Sequence, residues 1–99
     1  MKKLSKVQKL RSIERGLRNV LVDFSENYKE LITLDDKIKC LENTLYEMGE
    51  YFDKAAELQD FSIWFRLRTM FSRARIDLYK KNYVDLSFEL ESLKEFGGD

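Results

Sequence analysis

Residues 34–55, LDDKIKCLENTLYEMGEYFDKA, decide the fold. The apolar positions are Leu34, Ile38, Leu41, Leu45, Met48, Phe52 and Ala55, separated by alternating steps of four and three without a slip. That rhythm puts all seven side chains on one stripe of an α-helix. A stripe so regular needs a partner, either a second chain or another helix of the same chain.

The flanking sequence supplies partners. Upstream, Leu10, Ile13, Leu17, Val20, Phe24, Tyr28 and Leu31 repeat at helical spacing. Leu4 and Val7 lead into this pattern, and Leu21 and Ile32 widen it. These arcs are broader than a two-stranded seam uses, so the seam is expected to pack inside its own chain. Gly16 interrupts the first pattern at a cost of about 1 kcal/mol relative to alanine, which a closely packed neighbouring helix would explain. Thr33 followed by Asp35 and Asp36 reads as a helix start, with a capping hydroxyl and two acids in the first turn. Helix 1 is therefore expected to run almost directly into helix 2.

Downstream, Trp64, Leu67, Phe71, Ala74 and Leu78 form the third stripe, with Asp60 or Ser62 as its cap. Neither glycine nor proline enforces a break before it, so helices 2 and 3 read either as separate or as one bent rod. Lys80, Lys81 and Asn82 suit a helix end, with Asn82 the residue expected to tolerate a left-handed backbone. Val84, Leu86, Leu90, Leu93 and Phe96 make the apolar face of a fourth helix, and Gly97, Gly98 and Asp99 form a frayed end.

The expected fold is all-α: an elongated antiparallel bundle of three to four helices with coiled-coil-like packing. It forms a single domain over residues 1–99, with helices at about 4–32, 34–58, 61–81 and 83–96. Some 30 residues at ~1.5 Å each give helix 1 a length near 45 Å. Leu78 to Phe96 loosely resembles the second half of a tetratricopeptide-type repeat, in the tyrosine that follows a short basic turn. The sequence has no second copy and lacks the signature small residues, so no repeat architecture is assigned.

Charge alternates along the chain. Residues 1–22 carry a balance of +6, residues 23–60 of −7, residues 61–83 of +5 and residues 84–99 of −4, for a formal net charge of zero. Antiparallel neighbours thus bring opposite signs together, and a wrong topology would juxtapose like charges. A neutral total offers no general attraction to nucleic acid or to a membrane surface. No uncharged run approaches the ~20 residues that cross a bilayer. The basic start Met1-Lys2-Lys3-Leu4 meets Lys6, Lys9 and Arg11 where a signal peptide needs an apolar run. A cytoplasmic protein is expected, in keeping with the lone Cys40.

The residue inventory argues against catalysis. Without histidine, the commonest general base and metal ligand is missing, as is every Ser-His or Cys-His pair. No glycine-rich phosphate loop precedes a helix. Glu26 with Glu30, and Glu47 with Glu50, have suggestive spacing but fall off the apolar stripes and read as solvated faces. Cys40 lacks a strongly basic neighbourhood beyond Lys37 and Lys39. No catalytic residue, metal or cofactor is expected.

What remains is surplus apolar surface on helix 3. Phe61, Phe65, Ile76 and Tyr79 cluster away from its core stripe, together with Arg68 and Arg75. A helix apolar on two faces is either central in a bundle or docked to something else. Aromatics with arginine are the composition enriched at interface hot spots. The expected function is thus non-enzymatic: a protein-binding module serving as a small regulator, inhibitor or assembly chaperone, in the manner of bacterial or phage accessory proteins. Homodimerisation is the simplest form of such binding. A nucleic-acid-binding regulator is the alternative, using Arg11, Arg15 and Arg18 on helix 1 with Arg66 and Arg73 on helix 3. A self-assembling structural helix is the third class.

Overall fold

The computed structural model describes residues 5–58 and 65–96, with side chains at 5–58 and 68–93. Four helices follow in order: α1 (Lys6–Tyr28), α2 (Leu34–Glu57), α3 (Phe65–Tyr79) and α4 (Tyr83–Phe96). Each helix packs beside its sequence neighbour, and α1 closes the bundle against α4. Among the described residues α1 and α3 make no contact, which makes them diagonal partners. The result is an all-α bundle of 47 × 23 × 22 Å.

Local chemistry sets the ends of the helices. Ser5 caps α1: its hydroxyl accepts from the Gln8 amide at 3.2 Å, while the Gln8 side chain accepts from the Ser5 amide at 2.9 Å. This reciprocal box satisfies two donors that the first turn leaves open. Thr33 caps α2, accepting from the Asp36 amide at 3.1 Å, and Asp35 and Asp36 face the positive end of the helix dipole.

The first connection differs from expectation. Helix 1 stops at Tyr28 rather than Ile32, so its 23 residues span about 35 Å. The amides of Glu30 and Leu31 bond back three residues, to Asn27 and Tyr28, and tighten the exit. Thr33 must be extended to act as a cap, and the chain needs residues 29–33 to reverse. Leu31 and Ile32 therefore leave the helix, and Ile32 is 92% exposed.

The α3–α4 turn also differs in detail. Lys81, not Asn82, takes the left-handed conformation, at φ 63°. The Asn82 amide donates to the Asp77 carbonyl at 2.8 Å and the Lys81 amide to that of Leu78 at 3.1 Å, a Schellman closure. Asn82 instead starts α4, its carbonyl accepting from the Leu86 amide at 3.0 Å.

The core joins the expected stripes. Ile13, Leu17, Val20, Leu21 and Phe24 of α1 meet Leu41, Leu45, Met48, Phe52 and Ala55 of α2, Phe71 and Ala74 of α3, and Leu86, Leu90 and Leu93 of α4. Phe52 and Phe71 lie 4.9 Å apart in a tilted pair that fixes the register of α2 against α3. That contact makes α2 and α3 two antiparallel helices, not one bent rod. Ile38 of the seam is only half-buried, and three further positions are exposed on faces expected to be apolar. Leu34 opens the seam but is exposed, Val7 is exposed near the start of α1, and Val84 faces out of α4, about 200° around the helix from Leu86. Gly16 has the packing its presence implied, for the ring of Tyr51 occupies the space a side chain there would take. Leu4, Asp60, Ser62, Trp64 and the terminal Gly97, Gly98 and Asp99 lie outside the described residues, as do the side chains of Leu67 and Phe96.

Candidate docking groove

A groove of about 1160 Å³ runs between α2 and α3. Leu45, Gly49, Phe52 and Phe71 lie along its base, where the two helices meet. Its α2 wall carries Glu42, Tyr46, Glu50 and Asp53, and its α3 wall carries Arg68, Ser72, Arg75, Ile76 and Tyr79. The walls thus differ in sign, acidic on one side and basic on the other.

Both walls leave large apolar groups in water. Tyr46 is 70% exposed, Ile76 53% and Tyr79 89%. Arg75 lies with its guanidinium 5.8 Å from the centre of the Phe71 ring, a cation–π contact that holds it over the groove. Helix periodicity explains the layout. Tyr79, Ile76 and Arg75 sit on the flank of α3 that faces α2's outer side, while Phe71 and Ala74 turn inward.

Of the interface residues expected from sequence, the structure brings Arg68, Arg75, Ile76 and Tyr79 together on this wall. Phe61 and the side chain of Phe65 lie outside the described residues. Tyr46 is the contributor that sequence reading missed. Its signal was an aromatic off the heptad stripe, directly beside Leu45.

Among the described side chains, the arginines considered for nucleic acid lie on two diagonal helices. Arg11 and Arg15 are exposed on α1 and Arg73 is exposed on α3, at diagonal corners of the bundle. The acidic helices α2 and α4 stand between them. Arg18 pairs with Glu14 at 4.0 Å along its own helix. The side chain of Arg66 lies outside the described residues.

Two titratable groups are perturbed elsewhere. Burial pushes the Cys40 thiol up, and a hydrogen bond with Thr44 acts the other way, so the group stays a protonated thiol at neutral pH. Glu89 on α4 is pushed up to about 7, first by burial, then by a hydrogen bond with Asp77 and the charges of Asp77 and Asp85, against the opposing Arg73. Its buried Oε2 has no hydrogen-bond partner among the described residues. Glu26, Glu30, Glu47 and Glu50 are all exposed. Among the described residues no group of three or more cysteines and carboxylates is placed to hold a metal ion, and no helix is long and apolar enough to cross a membrane.

Fold and groove together define a class: a four-helix bundle with a charged, aromatic-edged cleft along one side. No family model, curated protein or solved structure matches the chain.

Proposed function

We propose that this chain is a non-enzymatic protein-binding module that docks on another polypeptide through the α2–α3 groove. The observation that carries the reading is the exposure of Tyr46, Ile76 and Tyr79 along one cleft, edged by Arg68 and Arg75. Exposed aromatics grouped around a concave apolar base, with arginine beside them, have the composition of an interface hot spot. Among the described residues, the groove brings together no cluster of nucleophile, base and anion-stabilising donors of the kind a reaction uses. A small regulator, inhibitor or assembly chaperone working in the cytoplasm is the role that best suits such a module. Homodimerisation falls within the same reading. Nucleic-acid binding is the weaker alternative, because its basic residues are split between diagonal helices.

A photo-cross-linking residue introduced at Tyr46 or Tyr79 tests the proposal in the cell that makes the protein. Both positions should give a discrete protein adduct, while the same residue at the exposed Asn19 of α1 should not. Absence of any protein adduct at both groove positions would overturn the reading, as would adducts to nucleic acid alone.

A further inference from the structure

We infer that the occupant of the α2–α3 groove is a second copy of this chain, related to the first by a twofold axis running along the groove. The inference rests on the reading of the groove as a protein-docking site and names its partner.

Charge and register carry it. Phe52 lies against Phe71 at 4.9 Å, and a side chain at Gly49 would meet the same ring, so level positions on α2 and α3 are known. Counting outward from that level, Asp53 stands beside Arg68, Tyr46 beside Arg75 and Ile76, and Glu42 beside Tyr79. A twofold axis parallel to the helices keeps each residue at its own height and exchanges left for right. It therefore lays α2 of each protomer over α3 of the other. Asp53 then stands level with the partner's Arg68, and Glu42 and Glu50, one turn to either side of Tyr46, flank the partner's Arg75. Tyr46, Ile76 and Tyr79 of both copies close over the shared apolar base. Every contact made in one direction is repeated in the other, as an isologous interface requires. A twofold axis across the helices would instead stack α2 on α2, acid against acid, at a cost in like-charge repulsion. An unrelated helix fits only if it brings the same split of charge, which this chain already carries on two helices at the right separation.

Molar mass by sedimentation equilibrium on the full chain tests this. Wild type at high micromolar concentration is expected to show twice the chain mass of 11.9 kDa. Arg75→Glu, and separately the pair Glu42→Lys with Glu50→Lys, should each weaken self-association at least about tenfold by placing like charges across the interface. Mixing these two variants should restore the doubled mass, because each then offers the charge the other lacks. Tyr79→Asp gives an independent reading. The side chain is 89% exposed, so its loss should leave the helical circular dichroism intact while breaking the dimer. A wild-type monomer at high micromolar concentration overturns the inference, as does a dimer that none of these changes weakens. If the protein is monomeric yet Tyr46 and Tyr79 still cross-link to a different polypeptide, the second copy is wrong and the proposed function stands. If no cross-link forms at either position, both fail.

Discussion

Replacing Gly16 with alanine should destabilise the bundle, although the same change in an ordinary helix stabilises it. At mid-helix, alanine gains about 1 kcal/mol over glycine. Here, a methyl group at residue 16 would occupy the space of the Tyr51 ring. The ring must swing out of its half-buried seat. Full burial of a large side chain is worth roughly 1.5–3 kcal/mol, so losing a partial seat forfeits about 1–1.5. The ring also lies under Lys54 Nζ at 5.1 Å, and leaving that contact forfeits about 0.5 kcal/mol more. The net expectation is a loss of roughly 0.5–1 kcal/mol, or about 2–8 °C in melting temperature for a domain of this size. Chemical and thermal unfolding followed by far-UV circular dichroism give the value. In a Tyr51→Ala background the clash is gone, and Gly16→Ala should then stabilise by up to about 1 kcal/mol. The double-mutant cycle should thus show a coupling of roughly 1.5–2 kcal/mol and a change of sign. If Gly16→Ala stabilises the wild-type protein, the close approach of α1 and α2 at this point is wrong.

Other substitutions test the remaining features. Gly49→Ala should have the opposite sign to Gly16→Ala, stabilising by up to about 1 kcal/mol in urea unfolding, because a side chain there meets Phe71 only at 3.5 Å. Lys81→Gly should raise stability by about 1 kcal/mol in the same assay, since Lys81 holds φ 63° at the α3–α4 turn and glycine does so without strain. Glu89 gives a pH signature. Its carboxyl sits at about 7 in the fold against an ordinary 4.5, so the folded state binds the extra proton between those values. Its contribution is full below pH 4.5 and is lost as pH rises through about 7. Glu89→Gln should therefore flatten the fall in melting temperature between those limits and stabilise the protein at pH 8. The gain should be about 1 kcal/mol, below the full worth of the shift because the group is partly solvated. Thr33→Ala should cost about 1 kcal/mol through loss of the α2 cap.

Much of the fold was legible because helical cores obey simple periodicity. The heptad steps from Leu41 to Ala55, and the stripe from Leu10 to Phe24, map directly onto buried side chains. Alternating charge fits the arrangement in part: α1 lies beside α2 and α4, and α3 beside α2 and α4, each pair of opposite balance, although the two acidic helices α2 and α4 also touch. What periodicity could not mark was where each helix stops. Ile32 continues the apolar rhythm of helix 1, yet the extended backbone that Thr33 needs as a cap takes precedence. Similarly, Asn82 looked like the left-handed residue, but its role in starting α4 passed that conformation to Lys81. The Ser5–Gln8 capping box was readable from the S-x-x-Q spacing alone and marks the true start of α1.

The groove was only half legible. Ile76, Tyr79, Arg68 and Arg75 stand out on a helical wheel as a second flank of helix 3. The acidic wall does not, because Glu42, Glu50 and Asp53 look like ordinary solvated acids until α3 is placed beside them. Tyr46 likewise gains meaning only from its position across from Ile76. Docking surfaces are products of two elements, and a one-dimensional pattern displays one element at a time.

The most direct test of the account is hydroxyl-radical footprinting of the exposed side chains, comparing dilute purified protein with protein in the cell that makes it. Tyr46 and Tyr79 should oxidise several-fold more slowly in the cell, while Phe88, equally prominent on the outer side of α4, keeps its rate. Unchanged rates at Tyr46 and Tyr79, with protection falling on Phe88 instead, would contradict the assignment of the α2–α3 groove as the docking site.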